Sequence, residues 1–132
     1  MIYKEKLMIG DWVLYKGYPV CISQLNRETF NTTTFFGEKD GVGYSYDYIE
    51  GIHITKELLQ KNGFSKDEAY AHYQIDNWHY FQYYYYESRL RRYAKKPGTE
   101  GPGGLVFQSH VTYLHELQHA LKMNYVEMDI HP

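Results

Sequence analysis

The residues of this chain with the most recognisable chemical spacing are His115, Glu116 and His119, which form a His-Glu-x-x-His sequence near the C-terminus. On a helix, residues four apart lie on one face, so the two imidazoles could bind one Zn²⁺. Glu116 would then act as general base toward a metal-bound water. The pattern predicts, as one alternative, a minimal zinc-dependent hydrolase.

A zinc site of this kind needs a third protein ligand and an open coordination position. Glu127, Asp129 and His131 follow the signature, and His110 and His79 precede it. The first three remain candidates for the third ligand, whereas His110 and His79 do not stand at a recognised ligand spacing. The signature alone therefore leaves the site incomplete.

The helix that carries the signature is predicted to be amphipathic. One sector of its helical wheel contains Val111, Tyr113, Leu114, Leu117, Ala120 and Leu121. His115, His119 and Lys122 fall on roughly the opposite side, which predicts that both imidazoles lie in solvent. We interpret the match as fortuitous, and we predict no catalytic residue, no metal and no cofactor.

A second feature with chemical content is the tyrosine-rich segment from Trp78 to Tyr93, read as one extended strand. Alternation along a strand puts Trp78, Tyr80, Tyr84, Tyr86 and Leu90 on one face and Phe81, Tyr83, Tyr85, Glu87, Arg89, Arg91 and Tyr93 on the other. The first set is suited to a core. The second interleaves aromatic rings with guanidinium groups, which suits base stacking and phosphate contact.

From this pattern we predict a non-enzymatic binding protein. Its ligand-binding residues would be Tyr83, Tyr85, Arg89, Arg91 and Tyr93. The glycine-rich segment 95–104 would form a lid. A nucleotide, a nucleic acid or a protein partner fits such a surface, and burial against another copy of the chain is a further alternative. A purely structural interpretation also exists, because a tyrosine on a strand often packs its ring against its neighbours and exposes its hydroxyl to water.

Composition excludes several classes of protein. The chain has 132 residues, 43% hydrophobic and 23% charged, with sixteen tyrosines and a net charge of −2. This is the balance of one globular domain, with no global field toward nucleic acid or anionic membrane. A lone Cys21 suits a reducing compartment. Residues 1–7 contain an acidic residue and no apolar run, which predicts that they are not a signal peptide. No apolar run in the sequence reaches about 18 residues. These features predict a soluble cytoplasmic protein without a membrane partner.

The elements that must position these residues predict an α+β fold in one domain, with residues 1–50 forming a barrel-like part and 51–132 the rest. Strands over 11–15, 19–25, 29–36 and 42–48 predict an SH3-like small β-barrel or meander. A short helix over 56–61 begins at Thr55 as N-cap and ends at Asn62-Gly63, with Leu58, Leu59 and Phe64 facing inward. A tyrosine-rich hairpin follows. A short strand covers 105–107, the C-terminal helix runs from a cap at Ser109 to Met123, and an edge strand covers 126–130.

Three segments together resemble a group of small uncharacterised proteins from Bacteroidetes genomes and their phages. They are Ile9-Gly10-Asp11-Trp12-Val13, the segment 52–64 with its Ile-Thr-x-Glu-Leu-Leu-x-Lys-Asn-Gly-Phe pattern, and Tyr113-Leu114-His115-Glu116-Leu117-Gln118-His119. The resemblance implies a phage or mobile-element setting and no known activity. In that group the last motif reads His-x-Leu-Gln, and the positions of Glu116 and His119 are often glutamine and asparagine. This weakens the zinc interpretation, because neither a base nor a ligand can be exchanged so freely.

Overall fold

The computed structural model describes residues 2, 4–33, 43–67, 72–74, 81–93, 104–124, 126 and 128–132. Within these residues the chain forms two helices and two five-stranded antiparallel sheets. The α+β class and the C-terminal helix are confirmed. No helix in the described part of the chain is long and apolar enough to cross a bilayer.

The chain divides into two compact units. The first contains Met1–His53, Tyr113–Gln118 and Pro132, and the second contains Ile54–Thr112 and His119–His131.

The sheet of the first unit has the order β4-β3-β2-β1-β5. Its strands are β1 Trp12–Tyr15, β2 Tyr18–Leu25, β3 Thr29–Thr33, β4 Tyr44–Ser45 and β5 Ile49–Glu50. Lys16 and Gly17 join β1 to β2 in a two-residue hairpin turn, with φ of 48° and 86°. Positive φ at both residues lets the turn follow the right-handed twist of the two strands. The core of this sheet contains Leu7, Val13, Ile22, Phe30 and Ile49.

The predicted N-terminal β part is present, with two differences. No pairing among the described residues closes the sheet into a barrel. The strand predicted to run to Tyr48 ends at Ser45, because Tyr46–Tyr48 forms a 3₁₀ turn. The N–H of Asp47, the second residue of this turn, donates to the Ser45 hydroxyl at 3.2 Å. The predicted ends of two strands, over 34–36 and at 42, lie outside the described residues.

Helix α1, Lys56–Lys61, is confirmed together with both of its ends. The Leu58 N–H donates to the Thr55 hydroxyl at 3.1 Å, which is an N-cap. Gly63 has φ of 88°, and the Phe64 N–H donates to the Leu59 carbonyl at 2.9 Å, so the helix ends in a left-handed glycine turn. Leu58, Leu59 and Phe64 are buried, as predicted.

The sheet of the second unit has the order β10-β9-β8-β7-β6. Its strands are β6 Ser65–Asp67, β7 His72–Gln74, β8 Phe81–Tyr84, β9 Arg89–Tyr93 and β10 Leu105–His110. The single long strand predicted through Tyr93 is wrong. A 3₁₀ turn at Tyr85–Glu87 and Ser88, with φ of 51°, fold β9 back against β8.

Helix α2, Leu114–Met123, ends where predicted and begins later than predicted. Ser109 is not its cap, because the short strand predicted at 105–107 continues to His110 and places Ser109 inside β10. Val126 and Ile130 are buried, but the described residues beyond Asn124 form no strand, so the predicted edge strand is absent there. The apolar sector of α2 is confirmed by the burial of Leu114, Leu117, Ala120 and Leu121.

Candidate nucleic-acid interface

One face of the second sheet brings tyrosines, arginines and amides together. Directly opposed residues of antiparallel strands point to the same side of a sheet. The register pairs Tyr84 with Arg89 across β8 and β9, and it pairs Gln108 with Arg91 across β9 and β10. Tyr93 follows Arg91 by two residues and so shares its side. We call Tyr84, Arg89, Arg91, Tyr93 and Gln108 the Tyr/Arg face.

Arg91 is held at the centre of the Tyr/Arg face. Its guanidinium carbon lies 4.5 Å from the centroid of the Tyr84 ring, within the range of a cation–π contact. Its Nε donates to Gln108 Oε1 at 3.0 Å, and its Nη2 lies 3.5 Å from Glu87 Oε2. Three neighbours therefore orient the plane of this guanidinium before any ligand arrives.

The Tyr84 hydroxyl is part of a polar chain on the same face. It donates to Gln82 Oε1, and it lies 3.3 Å from the Tyr93 hydroxyl. Desolvation by burial, together with the hydrogen bond to Tyr93, raises the pKa of Tyr84 to about 12. A tyrosine is neutral at physiological pH even without this shift, so the positive charge of the face comes from its arginines.

The five predicted ligand-binding residues are divided between three places. Arg89, Arg91 and Tyr93 lie on the Tyr/Arg face. Tyr83 lies in the core, 1% exposed, where its hydroxyl donates to the Val111 carbonyl at 2.8 Å. Tyr85 lies in the 3₁₀ turn. The predicted lid falls almost wholly on residues 94–103, which lie outside the described residues.

The sequence analysis missed Gln108 because the strand predicted over 105–107 ended before it. It missed Tyr84 for a different reason. The pairing of Tyr84 with Arg89 puts an even-numbered residue and an odd-numbered residue on the same side. A single strand would have put them on opposite sides. The residues of β9 were therefore assigned in the correct phase and those of β8 in the wrong one. Glu87-Ser88 is not a turn sequence of the glycine or proline type, so nothing in the pattern marked the reversal.

Tyr85 takes part in a separate contact in the second unit. Lys56 Nζ lies 5.4 Å from the Tyr85 ring centroid and 5.3 Å from the Tyr86 ring centroid. The ammonium also donates to the Tyr86 hydroxyl at 3.2 Å, and that hydrogen bond raises the pKa of Lys56. These two rings therefore already have an intramolecular cation.

In the His-Glu-x-x-His segment, Glu116 has a structural contact. Its Oε1 accepts a hydrogen bond of 3.0 Å from the backbone N–H of Tyr113, the residue before α2. A glutamate at the third helical position that bonds back to the N-cap amide is one half of a capping box. The carboxylate assigned as general base in the zinc alternative thus satisfies a helix terminus.

His115 does not lie in solvent, and this corrects the prediction from the helical wheel. It is 4% exposed, and its ring stacks on Tyr113 with centroids 5.9 Å apart and planes 15° apart. Tyr113 also packs against the His53 ring, with ring centroids 4.8 Å apart. The aromatic neighbours widen the buried sector of the helix beyond its aliphatic stripe. His119 is half-buried, whereas Lys122 is exposed as predicted.

Of the other potential zinc ligands, three have contacts elsewhere and two lie outside the described residues. Asp129 and His131 pair with each other at 3.1 Å, and the His110 ring lies 3.1 Å from the Thr112 hydroxyl. Glu127 and His79 are among the residues that are not described. Among those that are, no group of three or more His, Cys, Asp or Glu residues is arranged to hold a metal ion.

Comparisons of the chain with protein-family models, with curated proteins and with solved structures gave no match.

Proposed function

We propose that this chain is a non-enzymatic binding protein that contacts single-stranded nucleic acid through the Tyr/Arg face. Unpaired bases bind proteins by stacking on aromatic rings and on guanidinium planes, while arginines contact the phosphates. The Tyr/Arg face offers both kinds of group on one antiparallel sheet.

The observation that carries the proposal is the position of Arg91. A guanidinium that lies 4.5 Å over Tyr84 extends the area on which a base can stack. Because Gln108 and Glu87 also hold Arg91, little side-chain entropy is lost when a ligand binds. A planar group that is already oriented favours a planar ligand over a flexible chain.

The remaining groups of the face suit the backbone of such a ligand. Arg89 is exposed beside Tyr84 and is free to reach a phosphate. Gln108 is also exposed, and a glutamine amide can both donate to and accept from a base edge. The half-buried Tyr93 completes a row of groups along β9 that suits an extended strand.

The first unit supports an SH3-like arrangement as the finer description of the N-terminal part. Its last strand, β5, returns beside β1, and the register of β2 against β3 shifts between Ile22 and Gln24, as a bulge would bend that strand. Scaffolds of this type serve many binding functions, so the proposed ligand rests on the Tyr/Arg face alone.

The proposal is tested by fluorescence anisotropy with labelled 12-mers of deoxythymidine and uridine, and with a duplex of the same length. We expect saturable binding of the single strands and much weaker binding of the duplex. Arg91→Lys keeps the charge and removes the flat stacking plane, so its affinity should fall about tenfold, the value of roughly one stacked base. Arg89→Ala should also weaken binding.

Arg27→Ala is the matched control, because it removes the same charge from an exposed turn between β2 and β3 in the first unit. It should bind as the wild type does. No saturable binding of either single strand, equal affinity for the duplex, or wild-type affinity in Arg91→Lys would each overturn the proposal.

A further inference from the structure

The hairpin turn between β1 and β2, in the first unit, holds a lysine in an aromatic corner. Lys16 Nζ lies 4.7 Å from the centroid of the Tyr48 ring and 5.5 Å from that of Tyr15. The two rings are nearly perpendicular, at 89°, with centroids 6.2 Å apart. Two π-faces that meet at a right angle are arranged to surround a cation, and here they already hold an ammonium group.

A cavity lies at the same corner. Its volume is about 430 Å³, and it is lined by Lys16, Gly17, Asp47, Tyr48, Ile49 and Glu50. This volume is within the range of small-ligand sites in proteins. Tyr48 is 53% exposed, so part of its ring is open to a ligand that enters the cavity.

The charge of the lining favours a cation. Asp47 and Glu50 are both exposed, and within the described residues neither carboxylate forms an ion pair with Lys16 or with another cation. The lining thus contains two carboxylates and one ammonium group. A second positive group would meet uncompensated negative charge as well as the tyrosine rings.

The backbone holds these side chains in place. The Lys16 N–H donates to the Tyr48 carbonyl at 3.3 Å, which ties the hairpin turn to the 3₁₀ turn. β5 pairs with β1 through Tyr15 and Ile49 and through Leu14 and Glu50. The Ser45 cap fixes the start of the turn that carries Asp47 and Tyr48. The corner is therefore formed before a ligand arrives.

We propose that this corner binds the cationic side chain, lysine or arginine, of a basic peptide. The Tyr15 and Tyr48 rings would contact the cation, and Asp47 and Glu50 would balance its charge. Lys16 occupies the rings in the free protein and acts as an intramolecular competitor. This site is independent of the Tyr/Arg face, since it lies wholly in the first unit and uses none of the same residues.

If Lys16 is an intramolecular competitor, its removal should increase the affinity of the corner for a cation. If Lys16 merely solubilised the turn, its loss would leave binding unchanged, and if it contacted the ligand, its loss would weaken binding. Because it competes for the rings, Lys16→Gln should strengthen the binding of a cation by about two- to fivefold, the value of one exposed cation–π contact.

The experiment is a titration of ¹⁵N-labelled full-length protein followed by heteronuclear NMR. The probes are Nα-acetyl-lysinamide and Nα-acetyl-argininamide, with Nα-acetyl-glutaminamide as the neutral control at constant ionic strength. We expect saturable shifts of the Gly17, Tyr48 and Glu50 amides with the two cations and none with the neutral probe. Tyr48→Leu should reduce the affinity about fivefold, and the pair Asp47→Asn and Glu50→Gln should reduce it further.

Two control variants match the changes made at the corner. Lys6→Gln removes the same charge from an exposed 3₁₀ turn, and Tyr86→Leu removes a tyrosine that is 77% exposed in the second unit. Both should bind the cations as the wild type does, and the spectra show directly whether each variant is folded. Non-saturable shifts, equal shifts with the neutral probe, undiminished binding by Tyr48→Leu, or weaker binding by Lys16→Gln would overturn the proposal.

Discussion

At the residue scale, the tyrosines of this chain act repeatedly as partners of cations. Lys16 lies over Tyr15 and Tyr48, Lys56 over Tyr85 and Tyr86, and Arg91 over Tyr84. A tyrosine is suited to this role because its face attracts a cation while its hydroxyl makes a hydrogen bond elsewhere. The high tyrosine content thus has a physical use on the surface as well as in the core.

The raised pKa of Tyr84 predicts a loss of stability in alkali. Its pKa is about 12 in the folded protein and 10.0 when unperturbed, so the folded state binds the proton more tightly between these values. The stabilisation from neutral Tyr84 is fully present below pH 10 and is lost as pH rises toward 12. We expect the free energy of unfolding in urea to fall less between pH 10 and pH 11.5 in Tyr84→Phe than in the wild type.

Tyr18→Phe is the control for this measurement, because it removes a phenol that is 69% exposed. Its alkaline loss of stability should follow that of the wild type. If the free energy of unfolding depends on pH in the same way in the wild type and in Tyr84→Phe, the pKa of Tyr84 is not raised in the folded protein.

At the scale of the element, the N-terminus of α2 explains why glutamate occurs in the middle of the signature. Removal of the capping bond in Glu116→Ala should lower the free energy of unfolding by about 1 kcal/mol. Glu116→Gln keeps an oxygen acceptor for the Tyr113 N–H and should lose less than half of that. Equilibrium urea unfolding measures both. Equal losses in the two variants, or none in either, would argue against the capping role.

A second prediction about α2 concerns the contribution of Gln118 to stability, through its contacts within the first unit. Its Nε2 donates to the Gly10 carbonyl at 2.9 Å, and its Oε1 accepts from the Trp12 N–H at 3.0 Å, so its amide pairs with the chain as a peptide group of a strand would. Gln118→Ala removes both bonds and should cost about 1–3 kcal/mol in urea unfolding. Gln60→Ala, at an exposed position of α1, should stay within about 0.5 kcal/mol of the wild type. A similar small effect in both variants would contradict this role.

The elements also show what could be predicted from sequence. α1 was predicted to the residue, because Thr55 and Gly63 are local signals whose energetics act within one turn of helix. The β8–β9 hairpin was missed, because its turn places a serine in a left-handed conformation and the two strands are held by pairing rather than by a local signal. The face of the candidate site followed from that register, so it was predicted only for β9.

At the scale of the whole molecule, the three segments on which the resemblance rests contain contacts that stabilise the fold. Gln118 binds the backbone of Gly10 and Trp12, and Asp11 is buried and accepts from the Met8 N–H at 2.8 Å. Asn62 at the end of α1 exchanges two hydrogen bonds with the backbone of His131, at 2.7 and 2.8 Å. These motif residues have clear structural roles, so their presence does not by itself indicate a catalytic site.

The final prediction concerns how the affinity for nucleic acid depends on salt concentration. Because the net charge of the chain is −2, we expect this dependence to be weak. A protein with a basic surface releases many counterions. The Tyr/Arg face carries two positive charges, on Arg89 and on Arg91, and the edge of the Arg91 guanidinium can reach a phosphate while its plane stacks on a base. Two phosphate contacts on a single strand predict a slope of about −1.4 for the logarithm of the affinity against that of the salt concentration. Arg89→Ala should lower the magnitude of this slope by about half, because one of the two contacts is removed. Arg27→Ala should leave the slope unchanged. Anisotropy titrations between about 50 and 200 mM salt measure it. A slope steeper than about −4 would require a larger basic surface than these two arginines provide, and the nucleic acid would then bind elsewhere on the chain.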